Sequence, residues 1–176
     1  MASTVPAGAR ESIKAANAAG SRSGYFDQEG LVFARVDGAR FLTGDSGAHQ
    51  WETQYTVVEA VTGNYVAGQR RNAFYEAGNG TNGKKKPFWG NVKAQLVAFT
   101  GLDSKELDEV GDDDFEALLD AITDTDVQHC KGFIVQIECT PNKDTGKVWP
   151  TFRFPEHADL KRLNAPETQL TITAGL

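Results

Sequence analysis

Aromatic and cationic side chains recur together along this 176-residue chain, most densely over 131–154, KGFIVQIECTPNKDTGKVWPTFRF. Segment 133–139 is rich in β-branched and aromatic residues, segment 149–154 alternates aromatic with polar, and turn formers separate them, so the two read as a hairpin. Alternation puts Phe133, Val135 and Ile137 on one face and Ile134, Gln136 and Glu138 on the other. In the second strand Phe152 and Phe154 oppose Trp149, Thr151 and Arg153. One strip therefore carries Trp149 and Arg153, with Lys143 and Lys147 on the loop beside it. A ring flanked by ammonium and guanidinium groups can stack on a nucleic-acid base while the cations sit by its backbone. The alternative for Trp149 is plain core or hairpin cover.

The same chemistry recurs upstream. Arg35 shares a strand face with Phe33, Arg40 follows on the same run, and Trp51 shares a face with Tyr55. Arg70, Arg71 and Tyr75 lie in a third strand, and Lys84, Lys85 and Lys86 close a Gly/Asn-rich loop. With the four hairpin residues, these make the candidate nucleic-acid-binding set.

Other chemistries find little support. GNGTNGKKK has the glycines and lysines of a phosphate loop but no Ser or Thr after the lysine. The acidic run 112–114 lacks the alternating ligands and central glycine of a calcium loop and suits a helix N-terminus better. His49, His129 and His157 are scattered, and no Ser or Cys sits in a nucleophile elbow. Cys130 and Cys139 are too few for a disulfide framework, and His129 beside Cys130 is not zinc spacing. The expectation is a non-enzymatic protein without cofactor or metal.

No apolar run reaches the length of a membrane span, and MASTVPAGARES lacks the apolar stretch of a signal peptide, so a cytoplasmic protein is expected. The net charge of −6 argues against nucleic acid until its distribution is considered. Segment 103–126 holds eleven acidic residues against Lys105, whereas the rest of the chain has 17 basic and 13 acidic residues. An acidic patch is laid on a mildly basic body, which permits a basic surface elsewhere.

The elements that must position these residues follow from periodicity. Segment 1–24, rich in Ala, Ser and Gly, reads as flexible. Segments 31–37 and 40–43 read as a strand bent or bulged at Gly38, or as two short strands. Strands follow at 50–60, with Trp51, Thr53, Tyr55 and Val57 on one face, and at 65–75, with Gly68 inside it. A helix spans 88–99, with Trp89, Val92 and Leu96 in its apolar stripe and Gly101 as its stop. A second begins near 112, where Asp113 and Glu116 suit an acidic capping box and Phe115, Leu118, Leu119 and Ile122 form the stripe. After the hairpin, 156–176 reads as a tail whose last segment, QLTITAGL, has strand character but no visible partner.

Three strands, one or two helices and two strands make a mainly β protein. A five-stranded OB-fold-like barrel over 25–155, with a helix between strands three and four, would close the sheet and remove its edges. Gly38 and Gly68 would supply the bends. The strand order, the segment KKKPFWGNVKAQLVAFTGL, the Gly132-led strand and the turn NKDTGK together resemble phage-encoded single-stranded-DNA-binding proteins of the OB-fold type. That resemblance implies sequence-tolerant binding of single-stranded DNA in phage replication or recombination. It also suggests replication or recombination proteins as partners, met through the acidic segment 103–126, and leaves a homo-oligomer open. The chain departs from bacterial single-strand binders in ending on TITAGL, with no acidic tail. A protein-interaction or structural module of a phage particle is the competing expectation.

Overall fold

The structure, a computed structural model, describes residues 24–174 apart from 46, 78–87, 125 and 127. Segment 1–23 and Lys84, Lys85 and Lys86 lie outside the described residues. One antiparallel sheet holds β1 (Gly30–Thr43), β2 (His49–Ala60), β3 (Arg70–Glu76), β4 (Ile134–Pro141) and β5 (Val148–Arg153), in the order β3-β2-β1-β4-β5. Between β3 and β4 lie α1 (Phe88–Thr100), α2 (Ser104–Glu109) and α3 (Asp112–Thr123). The chain ends in α4 (His157–Arg162) and α5 (Glu167–Ala174). The mainly β architecture with helices after the third strand is present, but the sheet is not closed into a barrel: β3 and β5 are its two edges.

The sheet nevertheless curls tightly. Tyr55 on β2 and Phe152 on β5 are three strand steps apart, about 14 Å across a flat sheet at the usual spacing. Their rings stack with centroids at 5.8 Å. Part of the bend comes from β1, which is one continuous strand with register shifts at Phe33/Ala34 and Val36/Gly38. A Cβ at Gly38 would collide with the Gln128 side chain, whose Oε1 accepts from the Ala39 N–H (3.3 Å). Gly68 plays a different part from the one expected. It lies in the β2–β3 connection at φ +89°, its N–H donating to Val57 O (2.8 Å), and β3 begins only at Arg70.

The concave face carries the core. Trp51, Thr53, Tyr55 and Val57 all face inward and are buried, as alternation requires. Against them α1 sets Phe88, Val92, Leu96 and Phe99, all buried, while Trp89 stands at the rim, 61% exposed. Trp89 thus leaves the apolar stripe, because Phe88, one residue earlier, is the one four positions before Val92. Amid this apolar packing lies Gln95, fully buried. Its Oε1 accepts from Trp51 Nε1–H (3.2 Å), the Thr53 hydroxyl (2.5 Å) and the Tyr55 hydroxyl (2.9 Å).

The short helix α2 was not foreseen, and the capping box belongs to it. Asp103 accepts from the N–H groups of Lys105 and Glu106 (both 2.8 Å), and Glu106 accepts from Asp103 N–H (2.7 Å). Helix α3 starts instead at Gly111 with no side-chain cap, so the proposed Asp113–Glu116 box does not form. Both cysteines are buried thiols, and burial pushes Cys130 up to about 11.

The C-terminal segment is helical and docked, which corrects its reading as an extended tail. Leu160 and Ala165 cover Phe33 and Ile134 on the convex face. The β4–β5 ladder ends at Gln136 and Arg153, so no residue of β5 pairs with Ile134. Gln169 takes over that role, its Oε1 accepting from Ile134 N–H and its Nε2 donating to Ile134 O (both 2.7 Å). Among the described residues no helix is long and apolar enough to cross a membrane.

Both buried amides should be worth several kcal/mol. Gln95→Leu strands three buried donors at ~1–3 kcal/mol each, so chemical denaturation should register a loss of at least ~3 kcal/mol. Gln169→Ala frees both polar groups of Ile134 and should cost ~2 kcal/mol or more by the same measurement. A loss below ~1 kcal/mol in either variant would deny that amide its structural role.

Candidate nucleic-acid interface

Because β3 and β5 do not pair, a cleft of about 800 Å³ opens between them. The chain enters the fold here. Tyr25 bridges to Asn72 on β3, and Asn72 N–H donates to Gly24 O (2.6 Å). Phe26 then plugs the floor, with its ring centroid 5.6 Å from Tyr55, 6.0 Å from Tyr65 and 6.4 Å from Phe152. Above this floor the mouth is lined by Tyr25, Phe74 and Tyr75 on one side and Lys147 and Trp149 on the other.

The β4–β5 loop places the second wall. Asn142 Oδ1 accepts from the N–H groups of Asp144 (2.9 Å) and Thr145 (3.0 Å), and its N–H donates to Lys147 O (2.8 Å). Gly146 follows at φ +66°, a conformation that favours glycine, and donates to Asn142 O (2.8 Å). The loop so built sets Lys147 Nζ 4.7 Å from the centre of the Trp149 ring, a cation–π contact. Trp149 is 49% exposed, so it is neither core nor free of packing. By alternation Arg153 shares its face, and there it pairs with Glu138 (3.0 Å). Lys143 is exposed on the loop itself.

The convex face of β1, β2 and β3 continues from the first wall. Pairing puts Arg35, Thr56 and Arg70 in one row, with the arginines two strands or about 10 Å apart. A second row holds Arg40, Glu52 and Phe74. Arg40 Nε donates to Glu52 (2.7 Å), and Arg35 meets Asp37 at 3.5 Å. The two guanidinium groups are about half exposed while Glu52 and Asp37 are largely covered, so both pairs present their cationic side to solvent. The phenols around the cleft stay protonated: burial, then the Glu52 carboxylate, raises Tyr25, and burial pushes Tyr75 up to about 12.

The candidate set therefore divides. Lys147, Trp149 and Tyr75 line the cleft, with Lys143 and Arg153 beside its second wall, and Arg35, Arg40 and Arg70 occupy the adjoining convex face. Trp51 does not belong, because its place in the ladder faces inward and it is wholly buried under Gln95. Arg71 is likewise turned in, as its cross-strand partner is Tyr55. Its guanidinium lies 5.6 Å from the Tyr65 ring centre and donates to Arg70 O (2.9 Å) and Gln69 Oε1 (3.1 Å). Tyr25 was overlooked because it borders the Ala/Ser/Gly-rich segment, although Tyr25-Phe26 is the first pair of large rings in the chain. Phe74 faces outward because its strand neighbours Ala73 and Tyr75, opposite Thr53 and Trp51, face inward.

Among the described residues no group of three or more His, Cys, Asp or Glu is placed to hold a metal ion. No family model matches the sequence and no curated protein matches it, so the chemistry of the cleft rests on its own residues.

The two tryptophans should separate cleanly in stability. Trp149→Ala is expected to change unfolding free energy by ~1 kcal/mol or less, as for an exposed position, whereas Trp51→Ala should cost ~3–5 kcal/mol. Equal losses in denaturant unfolding would contradict the placement of Trp149 at a cleft wall.

Proposed function

We infer that this protein binds single-stranded DNA with little sequence preference, at the β3–β5 cleft and the convex face beside it. The observation that carries the reading is the set of accessible rings, Tyr25, Phe74 and Trp149, around an open cleft with Lys147 held against Trp149. Rings offer faces that any base can stack on, and a lysine beside them can meet a phosphate. The strand order supports an OB-type relationship, being that of such a barrel opened between its third and fifth strands. Protection or organisation of strands during phage replication or recombination is the role the sequence resemblance adds.

The charge distribution favours single strands over duplex. Helix α1 is packed on the sheet by its buried face, and α3 opens with Asp112, Asp113 and Asp114, which would repel a phosphate backbone. Neither is suited to reading a major groove. Bases splayed from a single strand suit a cleft bordered by rings better.

Titration of the protein with a labelled single-stranded oligonucleotide, followed by anisotropy and tryptophan fluorescence, tests the reading. Binding should fall with added salt at a log–log slope of about −0.7 per phosphate neutralised. Trp149→Ala should lose ~1–3 kcal/mol of binding, roughly five-fold to more than a hundred-fold in affinity. A flat anisotropy signal at low salt and micromolar protein rejects DNA binding and favours a protein-interaction role.

A further inference from the structure

A second concavity lies away from the cleft. Helices α1, α2 and α3 meet β1 around an apolar groove of about 200 Å³, walled by Phe41, Trp89, Val92, Leu107, Phe115 and Leu119. Trp89 and Phe41 stand 61% and 36% exposed at its mouth, their rings 6.3 Å apart. Large rings left in water cost free energy that a covering partner would recover. The rim is one-signed. Residues 88–124 carry ten carboxylates against Lys93 and Lys105, and both lysines are held by carboxylates, Lys93 by Asp108 (2.6 Å) and Lys105 by Glu109 (3.8 Å).

We propose that this groove docks a basic amphipathic helix of a partner protein, with an apolar side chain of the helix seated between Trp89 and Leu119 and its lysines or arginines facing α2 and α3. The volume suits one or two aliphatic side chains, as an i, i+4 pair on a helix would present. Charge complementarity selects the occupant. DNA is repelled by the acidic rim, and a second copy set groove to groove would oppose two acidic surfaces. The inference stands apart from the DNA reading, since none of its residues lines the β3–β5 cleft.

The test uses the full chain and a fluorescein-labelled 14-residue helical peptide of Leu, Lys and Ala, with leucines at i, i+4 and i+7. A control peptide of equal charge has alanine in place of leucine. The leucine peptide should bind in anisotropy at least ten-fold more tightly than the control. Trp89→Ala should weaken it ten-fold or more without loss of fold, since that ring is exposed, and Trp149→Ala should leave it unchanged. Equal binding of both peptides, or no effect of Trp89→Ala, overturns the proposal. So does a concentration-dependent dimer in sedimentation that Trp89→Ala abolishes, which would assign the groove to a second copy. Displacement of the probe by a synthetic peptide of residues 1–23 would assign it to this chain's own N-terminus, and would equally overturn the proposal.

Discussion

One buried amide oxygen holds the helical layer to the sheet. Gln95 Oε1 receives three donors from alternate residues of β2, so α1 can sit in only one register and rotation against that strand. Indole, hydroxyl and phenol would each be stranded by a shift of one residue, and a stranded buried donor is costlier than an absent one. Trp51, Thr53 and Tyr55 are thus all aligned by one side chain.

A second amide performs the matching task on the convex side. Gln169 supplies a donor and an acceptor to Ile134 beyond the end of the β4–β5 ladder, and thereby brings the C-terminal helices down over Phe33 and Ile134. The convex face is covered in this way around Phe33, Ile134 and Val58. Arg35, Arg40, Arg70 and Phe74 stay exposed on it beside the cleft. With the acidic groups gathered on α2 and α3, the molecule presents chemically distinct surfaces despite its overall negative charge.

Strand content was legible because β2, β4 and β5 alternate cleanly, and Trp51, Thr53, Tyr55 and Val57 fell on one face as period two demands. Gly38 announced the irregularity in β1. What the sequence hid was long-range. Whether Gly68 bends a strand or closes a turn depends on Val57, eleven residues away, and nothing local marks Gln95 as core or Gln169 as a strand surrogate. QLTITAGL has β-branched residues, so its strand character was a fair local inference, but as far as Ala174 it belongs to α5, where Gln169 and Leu170 pack on the sheet. Rings and cations drew attention to Lys147 and Trp149, which the fold sets at a cleft wall. They misplaced Trp51 and Arg71, because a strand's pattern gives two faces without saying which is inside.

The buried thiols and phenols give this fold an alkaline limit. Burial raises Cys130 to about 11 and raises Tyr55 and Cys139 as well. Once unfolded, the same groups would release their protons near their ordinary values, about 8.5 for a thiol and 10 for a phenol. Below those values the folded and unfolded chains hold the same protons at these sites, and the contribution to stability is complete. As alkalinity increases past them, the unfolded chain sheds protons that the folded core retains, and stability drains away until the folded values are reached. Proton loss therefore acts as a ligand of the unfolded state, drawing the equilibrium away from the very packing around Gln95 that holds the helices in place.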